Sequence, residues 1–208
     1  MMASLFDEDI RKERLFGEWL AENFYPRLLG INGCRVSTIE RCEEETLQKR
    51  GVDVIITTAQ DDKVYVDEKA ALHYINKGLP TFSFEIKNAR SGAQGWLYNR
   101  SYITDYYLLA WPNATDITIP DLNAFTRTEV MLIRREAVIQ MLRDKGITQD
   151  SVGQKISEYY GNRYETNKIV LCDGIQLNFN LTLHEQPINL IIWKKHLSHY
   201  AEFFDEVG

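Results

Sequence analysis

The chain has 208 residues, of which 44% are hydrophobic and 26% charged, and its formal net charge is −6. This mix belongs to one soluble globular domain spanning 1–208 with a sizeable core, and the negative balance excludes a protein that coats nucleic acid through overall positive charge. No run of about 18 apolar residues is present, and the opening stretch MMASLFDEDIRKER is too charged for a signal peptide. The expectation is a cytoplasmic protein with no membrane partner. Cys34, Cys42 and Cys172 are odd in number and lack CxxC spacing, so neither a disulfide frame nor a zinc site is indicated.

Reading from the N-terminus, Phe6, Ile10, Leu15, Phe16, Trp19, Leu20 and Phe24 fall close to a helical stripe and predict an amphipathic helix from Leu5 to Leu29. Asp7 and Asp9 suit its positive end, while Pro26 and Gly30 mark its stop. Glu18 and Glu22 are four apart and share a face, with Glu18 on the shoulder of the apolar stripe. Arg35 to Ile39 predicts a short strand. The run Glu43-Glu44-Glu45 is expected as solvated surface.

The stretch GVDVIITTAQDDKVYVDEKAA, Gly51 to Ala71, organises the rest. Val52 to Thr58 is β-branched and apolar except for Asp53, Ala59 to Lys63 is turn-like, and Val64 to Ala71 resumes strand character, which together predict a hairpin. Alternation along a strand points Asp67 and Lys69 one way and Glu68 the other. Antiparallel pairing brings Asp53 toward them. Charges among Val64, Val66, Ala70 and Ala71 are costly unless neutralised, and a hard cation bound by the two carboxylates and a strand carbonyl would neutralise them. The lysine two residues on would then assist an attacking water or a phosphate charge.

An Asp, a hairpin, then Asp-Glu-Lys on the second strand resembles the PD-(D/E)XK, or restriction-endonuclease-like, nuclease superfamily. Val52 stands where that family usually has Pro. The resemblance covers about residues 5–111. It implies an α/β fold with a restriction-endonuclease-like core, a central mixed β-sheet flanked by helices, and a C-terminal α+β elaboration over about 112–208. It further implies Mg2+ or Mn2+ held by Asp53, Asp67 and the Glu68 backbone carbonyl, with Lys69 aiding the water and Glu18, ahead of Glu22, as the acid the family carries on its first helix. The partner implied is nucleic acid, with DNA the expected substrate, and a homodimer is compatible with it.

Past a break at Leu79-Pro80, TFSFEI alternates and predicts a strand carrying a second match, Glu85-Ile86-Lys87. The first match is preferred because it follows the Asp-bearing strand through one short turn; Glu85 and Lys87 are the reserve pair, standing behind the ligands. NARSGAQGWLYNR supplies Arg90, Gln94, Trp96 and Arg100, the best basic and aromatic loop for phosphates and a stacked base, against the alternative of a surface loop whose Trp anchors the core. DYYLLAW predicts a buried strand, which in the resembled core would lie next to the hairpin. Thr128 to Ile133 reads as strand, Arg135 to Lys145 and Asp150 to Tyr160 as helices, and Asp173-Gly174 as the turn of a hairpin. Asn189 to Trp193 follows as a strand and His196 to Phe204 as a terminal helix. There is no GxxxxGK[ST], GxGxxG after a strand, HExxH or GxSxG. Two readings remain: a metal-dependent endonuclease or exonuclease, and a non-catalytic binding module in which Asp67 and Lys69 are only a buried salt bridge.

Overall fold

The computed structural model describes residues 5–161 and 166–208; the side chains of Leu5 and of Phe6, expected on the helical stripe, fall outside what it describes. In chain order the strands are β1 (Gly30–Ile31), β2 (Cys34–Arg41), β3 (Val54–Thr58), β4 (Lys63–Ala70), β5 (Thr81–Asn88), β6 (Tyr106–Trp111), β7 (Thr128–Arg134), β8 (Lys168–Cys172), β9 (Ile175–Phe179), β10 (Pro187–Trp193) and β11 (Ala201–Val207). The helices are α1 (Leu5–Asn23), α2 (Glu45–Gln48), α3 (Arg135–Asp144), α4 (Gln149–Gly161) and α5 (Lys194–Leu197). The chain divides into two compact units. One takes in the residues up to Leu79 with Thr104–Ile133 and Ala201–Gly208, the other Pro80–Ile103 with Arg134–Tyr200.

The first unit is a seven-stranded sheet in the order β1-β2-β3-β4-β6-β7-β11 with α1 packed on it. Phe16, Leu20 and Phe24 recur every four residues and are buried together with Trp19, so one stripe of α1 drives its docking. Phe16 stacks on Trp19 with ring centroids 5.6 Å apart, and Phe125 meets Phe16 edge-on at 5.0 Å. The α-helix stops before a 3-10 turn, Tyr25–Arg27, that contains Pro26, whose ring nitrogen cannot extend the hydrogen-bond ladder.

β2, β3 and β4 form an antiparallel meander, and β6 lies parallel to β4 with Val66 opposite Tyr106. The sheet is therefore mixed. Parallel neighbours cannot be joined by a tight turn, which is why a long excursion containing β5 separates β4 from β6. Gly51 has φ +76° where the chain turns from α2 into β3, a conformation that favours glycine, and its carbonyl accepts the Thr104 hydroxyl at 2.6 Å.

The second unit is a four-stranded antiparallel sheet in the order β5-β10-β9-β8. Its β8–β9 hairpin turns through Asp173-Gly174, with Gly174 at φ +70°. Val138, Met141 and Leu142 of α3 and Val152, Ile156 and Tyr159 of α4 are buried, and the Tyr159 ring stacks on Phe179 at 3.6 Å. Arg135 donates to the carbonyls of Leu97, Asn99 and Tyr102, which fixes that loop.

Residues 80–103 fold with the second unit, whereas 104–133 and Ala201–Gly208 fold with the first. One expectation changes. The predicted terminal helix is one turn of α5, a 3-10 turn at Ser198–Tyr200, and then β11, which pairs antiparallel with β7. Pairing along an open sheet edge outweighs local helical preference there.

Truncating Leu20 to Ala removes a fully buried side chain and is expected to cost about 2–5 kcal/mol in urea unfolding. Ile10→Ala, at a 49% exposed position of the same helix, is expected to stay within about 0.5 kcal/mol of wild type.

Candidate active site

The β3–β4 register ends with Val54 opposite Val66, which brings Asp53, directly before β3, alongside Asp67 on β4. The Asp53 backbone is tied on both sides: its N–H donates to the Val66 carbonyl at 2.9 Å and its carbonyl accepts the Cys42 N–H at 2.8 Å. Its Oδ2 accepts the Glu68 backbone N–H at 2.7 Å. Asp67 is 1% exposed. Lys69 Nζ stands 2.6 Å from Asp67 Oδ1, while Oδ2 is buried without a hydrogen-bond partner.

The near neighbour of Asp67 is the Asp53 carboxylate, which can donate nothing unless one of the two acids carries a proton. Burial pushes the Asp67 carboxyl up to about 7; Lys69 pulls it down and Asp53 raises it further. With both acids ionised, one ammonium would leave a surplus negative charge, and burial answers this by favouring a proton on Asp67. Among the described residues no three His, Cys, Asp or Glu side chains surround one point. A hard ion here would draw on two carboxylates, a main-chain carbonyl and water.

Alternation sends Glu68 to the α1 side of the sheet, together with Val64 and Val66. There Tyr25 donates its hydroxyl to Glu68 Oε1 at 2.8 Å, and Arg41 Nη2 reaches Oε1 at 3.0 Å and Oε2 at 2.8 Å. Burial raises the Glu68 carboxyl and Arg41 offsets it; burial, then Glu68, pushes the Tyr25 hydroxyl well up. A Cβ on Gly17 would lie 2.5 Å from Arg41 Nη2, so the guanidinium rests against α1 where that helix has no side chain. Beside it opens a hollow of about 270 Å³ lined by Ala21, Tyr25, Pro26, Ile39, Arg41 and Val54.

Glu18, the expected helix acid, is exposed and its carboxylate is 3.8 Å from Arg14 Nε. The acid of α1 that feels the pocket is Glu13. Partial burial raises its carboxyl, Lys69 lowers it, and Asp53 and Asp9 raise it again, although its exposure lets water screen much of this. Five residues separate the two, so Glu18 stands about 140° further round the helix. Glu13 lies three residues before the buried Phe16, at the border of the apolar stripe, and is exposed as Glu18 is.

The remaining candidates belong to the second unit. Glu85 and Lys87 lie on β5, opposite Asn189 and Ile188 of β10. Trp96 is half-buried, its ring 5.1 Å from Phe84, so it packs as an anchor of that unit. Gln94 and Arg100 are exposed, as is Arg90, which donates to the His184 carbonyl at 3.4 Å.

In buffer free of divalent ions the folded chain holds a proton on Asp67 up to about pH 7, whereas the unfolded chain releases it near about pH 4. The folded state therefore binds more protons in between, and stability falls as pH rises across that window, by on the order of 4 kcal/mol. Urea unfolding is expected to record that loss, and Asp67→Asn, which imitates the protonated acid, is expected to flatten it and to be the more stable protein near about pH 8. A variant with the same pH slope as wild type would show that this carboxyl is not the cause.

Comparison with known proteins finds no family model, no curated protein and no solved structure that matches this chain.

Proposed function

We propose that the chain is a metal-dependent nuclease hydrolysing phosphodiester bonds of nucleic acid, with DNA as the expected substrate, on a restriction-endonuclease-like core. The observation that carries the reading is the buried Asp67 Oδ2, without a donor and beside a second carboxylate. Asp53, Asp67 and the Glu68 carbonyl are hard oxygen donors of the kind Mg2+ or Mn2+ takes, and a buried oxygen facing another acid suits a cation better than a neutral neighbour. Such an ion, when bound, would polarise a phosphoryl oxygen and make water more nucleophilic near neutral pH.

The chain's own residues have separable tasks. Asp53, held by backbone bonds on both sides and by the Glu68 N–H, presents its carboxylate in a fixed direction. Lys69, with 31% of its side chain exposed, keeps an ammonium at the mouth of the pocket, where it would steady negative charge building on phosphate. Glu13 stands as the helix acid that the resemblance expects, in place of Glu18. β6 beside β4 supports the same core. Arg90, Gln94 and Arg100 are the exposed polar groups of their loop suited to phosphate contacts.

A second reading, the non-catalytic binding module, is favoured by the closed Asp67–Lys69 ion pair at 2.6 Å and by the net charge of −6. Thermal unfolding separates the two. Mg2+ or Mn2+ at a hundredfold excess over its dissociation constant is expected to stabilise the wild type by about 2.7 kcal/mol and Asp67→Asn far less. Assays on single-stranded, duplex and branched DNA and on RNA are expected to show metal-dependent cleavage that Lys69→Ala lowers about 100- to 1,000-fold. Absence of both the metal shift and cleavage in the wild type leaves only the binding module.

A further inference from the structure

Glu68 has two sets of partners. On one face of β4 its carboxylate is gripped by three hydrogen bonds, two from Arg41 and one from Tyr25, with 11% of its side chain exposed. In the plane of the sheet its backbone N–H donates to Asp53 Oδ2 at 2.7 Å, and the residue directly before it is Asp67. The pair is only half out of water, Glu68 shielded and Arg41 with 41% of its side chain exposed, so solvent screening leaves it a modest source of stability. What a planar guanidinium and a hydroxyl on one carboxylate supply is direction, since together they allow the side chain a single orientation. Gly17 fits the same purpose by leaving room for that guanidinium against α1.

We infer that Arg41 and Tyr25, acting through the Glu68 carboxylate, are positioning residues for the Asp53–Asp67 pocket, and that Gly17 leaves the room Arg41 needs. The inference rests on the metal-dependent reading above. The clamp holds the peptide between Asp67 and Glu68 still, so that the Glu68 N–H stays on Asp53 and the Glu68 carbonyl and the Asp67 carboxylate keep one spacing. Neither Arg41 nor Tyr25 touches substrate or ion. Groups that orient metal ligands from behind typically change metal affinity by about 10- to 100-fold when removed.

Two variants disturb the clamp by different means without altering the pocket's own side chains. Arg41→Met removes the guanidinium whose Nη2 bonds both Glu68 oxygens and keeps an apolar stem. Gly17→Ala leaves every clamp residue in place and pushes the guanidinium away. Mn2+ binding, followed by electron paramagnetic resonance or calorimetry at a temperature where melts show all proteins folded, is expected to weaken by about 10- to 100-fold in both. A merely structural clamp moves the melting temperature and leaves the Mn2+ dissociation constant where it was; that outcome, with a wild type that binds Mn2+, overturns the inference alone. A wild type that takes up no Mn2+ overturns the pocket reading and the inference with it.

Discussion

An acid removed from water has to keep its proton or gain a positive neighbour, and the first unit is arranged around one that has done so only in part. Asp67 is 1% exposed, and Lys69 satisfies one of its oxygens. The other oxygen faces Asp53, which repels rather than relieves it. The strands on either side make this tolerable. β3 pairs with β4 up to Val54 opposite Val66, and β6 lies along the other side of β4 from Val66 to Ala70. Rigid strands can sustain a frustrated charge that a loop would dissipate by moving.

The same strand divides its labour by parity. Val64 and Val66 enter the core with Phe16, Leu20 and Phe24, so the even positions secure α1 to the sheet. Glu68 breaks that apolar series and draws Arg41 and Tyr25 around itself. A glycine inside a helix costs about 1 kcal/mol relative to Ala, and the close approach of Arg41 gives Gly17 a reason to be there. Helix, strand end and 3-10 turn thus meet at one carboxylate, on the residue that follows Asp67.

What was legible in the sequence was local. The hairpin, the alternation that groups Asp67 with Lys69, the buried strand at Tyr106–Trp111 and the Asp-Gly turn all follow from periods of two and from turn residues over short distances. The helix acid is expected at Glu18, ahead of Glu22, because Glu18 sits on the shoulder of the apolar stripe; that Lys69 and Asp53 act on Glu13 depends on how α1 docks, which the local spacing does not contain. Other features had no local trace. β11 exists because β7 offers an open edge more than 60 residues earlier in the chain, so its helical-looking composition misled. The exchange of residues 80–103 and 104–133 between the two units depends on which sheet each strand joins, and no window of residues contains that choice. Trp96 could have faced solvent or Phe84 with the same neighbours in sequence.

The packing of Phe203 on Phe24, with ring centroids 5.2 Å apart, has a temporal meaning. The earliest helix and a late strand share one core, so during synthesis α1 emerges long before its last packing partner has been translated. Domains generally fold as units while the chain is being made; here the contact between Phe24 and Phe203 can form only once Ala201–Val207 has been made.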